Sequence, residues 1–156
     1  MESNYIIEIS KVIAVLFTGC SFLFGIYIYM VNSKKERIKS TLEYWEKFHQ
    51  EVIPYIIKFN NIYSGKLHAN EVKEVVNLPE LKETLHYILN KYEQLAIGVD
   101  LKAYEINALN SLSGQEPINS YHRYEAYIFY RRTHKGNPEI WSQYERLVKL
   151  LIKLRK

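Results

Sequence analysis

The chain has 156 residues, with 21 Lys and Arg against 17 Asp and Glu, a formal net charge of +4, and a single cysteine. One cysteine excludes an intramolecular disulfide framework and a multi-cysteine zinc site. The length excludes two ordinary domains beside any further element.

The first element is an uncharged run of twenty residues, Val12 to Val31, reading VIAVLFTGCSFLFGIYIYMV. As a helix rising 1.5 Å per residue it spans about 30 Å, the thickness of a bilayer's hydrocarbon core. Ile, Phe, Leu and Tyr cover every face of that helix, which fits lipid better than water. A cleaved signal peptide would start basic and stay apolar for a shorter stretch, whereas Glu2 and Glu8 precede this run. Phe17-Thr18-Gly19-Cys20 distantly resembles a lipoprotein processing site, but Phe22, Leu23 and Phe24 follow where a polar tether belongs. The sequence therefore predicts an anchor, residues 1–31, and a helical domain, residues 32–156.

Basic residues beside a span tend to remain cytoplasmic. Lys34, Lys35, Arg37 and Lys39 follow the run, while only Lys11 and the amino terminus precede it, offset by Glu2 and Glu8. The expected topology is single-pass in the cell membrane, with the N-terminus outside and the C-terminal domain in the cytoplasm. With no charge inside the span, one such helix makes no channel or transporter by itself. The part after Val31 holds 20 of the basic and 15 of the acidic residues, an excess of five positive charges.

Beyond the span the periodicity is helical. Ile38, Leu42, Trp45, Val52, Ile56 and Phe59 form one stripe of a long helix, which Pro54 should bend or divide near Gln50 or Glu51. A loop is expected at 63–69 and a short helix from Asn70-Glu71 to Asn77. Asn77 would then cap a helix carrying Pro79 and Glu80 in its first turn and Leu81, Leu85, Ile88, Tyr92 and Leu95 on its core stripe. Gly98 should break that helix, Asp100 should cap another running to Leu109, and a loop should follow at 111–116. The next helix is expected from Pro117 to His134. After Gly136, Asn137-Pro138-Glu139 should cap the last one, with Trp141, Tyr144, Val148, Leu151 and Ile152 facing the core. Short connections predict an all-α fold, one transmembrane helix followed by a small antiparallel bundle. Trp45, Tyr92, Gly98, Asn137, Pro138 and Trp141 are assigned structural roles.

RIKSTLEYW (37–45), LNKYEQLAIGVDLKAY (89–104) and NPEIWSQYERL (137–147) together resemble the DUF4760 family of bacterial and phage-associated proteins. The resemblance covers the chain from about Val12 onward. It implies a small membrane-anchored helical protein, a setting in the bacterial inner membrane, and a role in phage exclusion or defence as one admissible reading. It brings no catalytic residues.

The strongest polar constellation is Tyr121 to Glu125 followed by Tyr127, Tyr130, Arg131 and Arg132. His122 and Glu125 lie one helical turn apart. Guanidinium donors match phosphate geometry, so His122, Arg123, Arg131 and Arg132 are candidate contacts for an anionic ligand or a partner. An enzyme would need His122, Glu125, Arg131 and Arg132 to converge in one pocket. No catalytic, cofactor or metal residue is assigned, and no cofactor is implied. Glu93, Glu125 and Glu145 are candidate ion-pair partners for Arg123 or Arg131.

Lys149, Lys153, Arg155 and Lys156 make the last helix basic, suited to anionic lipid. Acidic Glu139 and Glu145 on the same segment argue against nucleic acid. Trp45, Phe48, Tyr55 and Phe59 exceed what one seam would bury and leave homo-oligomerisation open. Membrane lipid and a protein partner complete the expected interactions of a helical adaptor or regulatory protein.

Overall fold

The structure, a computed structural model, describes residues 2–156; the side chains of 2–10 and of Val12 lie outside the described set, flanking Glu2 and Glu8 among them. Six helices and no strand make up the described residues. They are α1 (Glu2–Ile62), α2 (Ala69–Asn77), α3 (Pro79–Asp100), α4 (Ile106–Ser113), α5 (Gln115–Lys135) and α6 (Ser142–Leu154). The chain divides into two compact units, Met1–Glu36 and Arg37–Lys156.

The first unit is the start of α1. Its apolar stretch is long enough to cross a membrane and none of it is buried. Cys20 is exposed within it, and Thr18 closes its hydroxyl onto the Ala14 carbonyl at 2.8 Å. The helix needs no tertiary partner for its backbone, since every intrahelical bond is local; that is the condition for a polypeptide to enter hydrocarbon.

The second unit is a bundle of residues 37–62 of α1 with α3, α5 and α6, linked by the short α2 and α4. Directions follow from the contacts. Lys91 reaches Glu51 at 3.0 Å and Tyr55 packs on Tyr87, so α1 and α3 are antiparallel. Tyr92 meets Ser120 and Tyr127 meets His86, so α3 and α5 are antiparallel. Arg132 pairs with Glu145 and Arg155 reaches Asn110, just before α5 begins, so α6 runs against α5. The expected antiparallel bundle is the observed one.

Tyrosines fill its centre. Tyr92 and Tyr144 stack with centroids 4.7 Å apart, Phe48 lies 4.8 Å from Tyr92, and Tyr124 meets Phe59 edge-on. The Leu85, Ile88, Leu89, Leu95, Leu109 and Leu151 side chains close the core around them. Each such fully buried aliphatic chain contributes about 1.5–3 kcal/mol. Each central hydroxyl on the α3–α6 side finds a partner: Tyr144 donates to the Pro117 carbonyl at 2.6 Å, and Tyr92 bonds to Glu116. Trp45, Phe48 and Phe59 are buried within one chain, leaving only Tyr55 of that aromatic group exposed.

Several boundaries differ from the sequence expectations. α1 is not divided at Pro54. Asn77 ends α2; Leu78, extended at φ −102 and ψ 103, takes the cap position before Pro79. Gly98 does not end α3 but lies inside it, buried, because the Tyr104 ring folds back onto it; a Cβ there would collide with that ring. Asp100 closes α3, and the cap position of α4 falls to Glu105, whose N–H donates to Thr41 Oγ1 at 2.8 Å. The loop at 111–116 is absent: α4 continues to Ser113 and only Gly114, itself helical in φ and ψ, separates it from α5.

Gly136 does stop α5, in the left-handed region at φ 61, with its N–H and that of Asn137 returning to Thr133 and Arg132 carbonyls. Asn137, Pro138 and Glu139 are not the cap of α6. They form a turn in which Asn137 Oδ1 accepts the Glu139 N–H at 2.9 Å. α6 begins only at Ser142, after Trp141 in the left-handed conformation at φ 54. The Trp141 ring is buried and its Nε1–H donates to Asn90 Oδ1 at 2.9 Å. The cap itself comes from α3: the Glu93 carboxylate accepts the N–H groups of Gln143 at 3.2 Å and Tyr144 at 2.7 Å.

Candidate functional site

Within the bundle, Ile53, Ile56 and Asn60 of α1 face Glu116, Asn119, Ser120, Arg123 and Tyr124 of α5 across a cleft of about 400 Å³. Helical spacing explains the set. Residues 53, 56 and 60 are i, i+3 and i+7, and 116, 119, 120 and 123 are i, i+3, i+4 and i+7, so each helix presents one stripe. The cleft is held at one end by the 63–68 loop, where the Leu67 N–H donates to the Arg123 carbonyl at 3.0 Å.

The polar groups here fall into two kinds. Glu116 is spoken for: Oε1 accepts the Tyr92 hydroxyl at 3.0 Å, Oε2 accepts the Ser113 hydroxyl at 3.3 Å, and His49 Nε2 lies 3.7 Å away. Asn119 Oδ1 accepts from Gln115 at 2.8 Å, leaving its NH₂ for other acceptors. Asn60 Oδ1 and the Tyr124 hydroxyl are buried with no hydrogen-bond partner among the described residues. Leaving such a group unsatisfied costs about 1–3 kcal/mol. Burial pushes the Tyr124 hydroxyl up to about 12, with the neighbouring Arg123 guanidinium pulling the other way. Tyr124 is thus a neutral donor at physiological pH. Arg123 makes no ion pair among the described residues.

The sequence-derived cluster is distributed differently. His122 is exposed, edge-on to the Tyr121 ring. Glu125 pairs with Lys66 at 2.9 Å rather than with an arginine of its own helix. Arg132 binds Glu145 at 2.7 Å and the Ile140 carbonyl at 2.8 Å, which ties α5 to α6. Hydrogen bonds from Lys149 and then Arg132 hold the Glu145 carboxyl down at about 2. Glu93 caps α6. Arg131 Nε is buried without a partner. At 100° per residue His122 and Arg131, nine positions apart, point to opposite sides of α5, so His122, Glu125, Arg131 and Arg132 do not meet in one pocket. Of the four candidate contacts, only Arg123 lines the cleft.

Elsewhere, Tyr127 bonds His86 Nε2 at 2.8 Å beside Trp141. Burial, Arg131 and Lys82 lower the His86 ring to about 4. No group of three or more His, Cys, Asp or Glu that could hold a metal ion occurs among the described residues.

Sequence reasoning missed Asn60, Asn119 and Ser120 because each is unremarkable on its own helix. Only the facing of 53–60 with 116–124 gives them a common role.

An apolar, unburied N-terminal stretch long enough to cross a membrane, followed in the chain by a small tyrosine-cored bundle, is consistent with a class of membrane-associated helical proteins. The chain belongs to the family described as a domain of unknown function, DUF4760, which matches residues 9–151. No curated protein and no solved structure matches the chain.

Proposed function

We propose that this protein is a membrane-anchored adaptor or regulatory component, single-pass, with its N-terminus outside and its bundle on the cytoplasmic side of a bacterial inner membrane. The observation that carries this reading is a pairing within one chain. An unburied apolar stretch supplies attachment, and the bundle keeps large apolar side chains on its surface, Leu101 at 73% and Phe129 at 70% exposed. Attachment confines the bundle to the plane of the membrane, which raises the effective concentration of any partner held there. The basic residues 34–39 support the orientation. Phage exclusion is a setting in which such a component would act, a reading that rests on the family resemblance.

Photocrosslinking of the full-length protein in native membranes, with partners identified by mass spectrometry, tests this. A defined protein partner, lost on Phe129→Ser in a variant that still melts cooperatively, is the expected result. Recovery of only lipid and the protein itself, unchanged by the variant, sinks the adaptor reading.

A further inference from the structure

The cleft between α1 and α5 has the composition of a binding site for a small molecule, and we infer that it takes a ligand bearing an oxyanion, phosphate or carboxylate, together with a hydroxyl or amino donor. Three features converge on it. Arg123 brings a guanidinium that makes no ion pair among the described residues. Tyr124, fully buried beside that guanidinium, brings a hydroxyl that finds no acceptor among the described residues. Asn60 brings an amide oxygen that receives no donor among them.

Among the lining groups the Arg123 guanidinium, the Tyr124 O–H and the Asn119 NH₂ are donors left over, whereas the Glu116 oxygens and Asn119 Oδ1 already accept bonds. Such a surplus selects an oxyanion, and arginine suits one because its planar fork gives two parallel bonds. Asn60 Oδ1 adds a single acceptor, which selects a donor on the same ligand. Ile53 and Ile56 supply an apolar wall.

Size separates this reading from a trapped water. A water occupies about 30 Å³ of liquid and satisfies two to four groups. The cleft is more than ten times larger and falls within the range of small-molecule sites, about 300–1,000 Å³. Glu116 lines the same cleft, but its oxygens are already engaged: Oε1 receives the Tyr92 hydroxyl and Oε2 the Ser113 hydroxyl, with His49 Nε2 3.7 Å away. The ligand bridges α1 and α5, so occupancy would stabilise the bundle by mass action. This inference stands whether or not a protein partner docks on the surface.

The test uses the full-length protein in nanodiscs of neutral phosphatidylcholine, titrated calorimetrically with glycerol 3-phosphate, which carries both an oxyanion and hydroxyl donors. Saturable binding is expected, weakened about tenfold or more by Arg123→Gln and about threefold or more by Tyr124→Phe, while Arg131→Gln leaves it unchanged. A second arm replaces the soluble probe with discs containing phosphatidylglycerol and follows the melting temperature. A rise there that Arg123→Gln abolishes, without calorimetric binding, assigns the oxyanion to a lipid headgroup. Silence in both arms overturns the inference, as does binding or a rise that survives Arg123→Gln in a protein with wild-type cooperativity.

Discussion

The two sides of α5 treat polar groups in opposite ways. Toward α3 and α6, Tyr92, Tyr144, Trp141, Glu93 and the Arg132–Glu145 pair are locked into specific bonds, with Arg131 Nε and one Arg132 nitrogen as the exceptions. Toward α1, Asn60 Oδ1 and the Tyr124 hydroxyl have no hydrogen-bond partner, and Arg123 no ion pair, among the described residues. A satisfied buried network specifies one packing, whereas a group of unsatisfied ones beside a 400 Å³ space costs stability that a bound molecule could return. The first side reads as architecture and the second as a receptor.

The largest effect that would test the architectural side is removal of Trp141. Trp141→Ala should destabilise the bundle by about 3–5 kcal/mol, since a buried ring and the bond to Asn90 are lost together. Chemical denaturation measures it, and a loss below about 1 kcal/mol would show that the α5–α6 turn is not held as described.

Glu93→Gln keeps the shape of the side chain and removes the charge that caps α6. A loss of about 1–2 kcal/mol is expected, accompanied by faster amide exchange at Gln143 and Tyr144. Unchanged exchange at those two amides would break the assignment.

Acidity probes the same side more gently. The folded His86 ring titrates at about 4, below its ordinary 6.5, so the unfolded chain takes up the proton first. Stability should therefore be level above pH 6.5 and decline as the pH falls from 6.5 toward 4. Glu145, lowered to about 2 from 4.5, adds a further decline only below pH 4.5. Thermal melts of wild type and His86→Gln between pH 7 and 5 check this, the variant being expected to lose the slope.

The smallest effect is the sharpest comparison. Tyr144→Phe strips a hydroxyl bonded at 2.6 Å to Pro117 and should cost about 1 kcal/mol. Tyr124→Phe strips one with no partner and should change stability by less than about 0.5 kcal/mol, or increase it. Equal losses from the two substitutions would erase the distinction between the two sides.

Much of the fold was legible because helical stripes and strong stop signals are local. Leu81 to Leu95 mark the buried face of α3, and Gly136 marks the end of α5 by a positive φ that other residues avoid. Boundaries set by distant partners were not legible. Gly98 reads as a breaker until the Tyr104 ring is seen against it, and Asn137-Pro138-Glu139 carries every sign of a helix start that the chain uses for a turn. The candidate site divides the same way. Arg123 belonged to a visible basic and aromatic cluster, but its cleft partner Asn60 lies on another helix, and no spacing rule connects positions 60 and 123.

Glu93 also ties the start of the last helix to a distant part of the chain. The first turn of α6 is capped by a carboxylate fifty residues earlier in the sequence, and Tyr92, the neighbour of Glu93, stacks on Tyr144. A chain cut short before Ser142 would therefore lose the cover of the Tyr92 ring, and shortening this protein at its last helix would open the core rather than trim its edge.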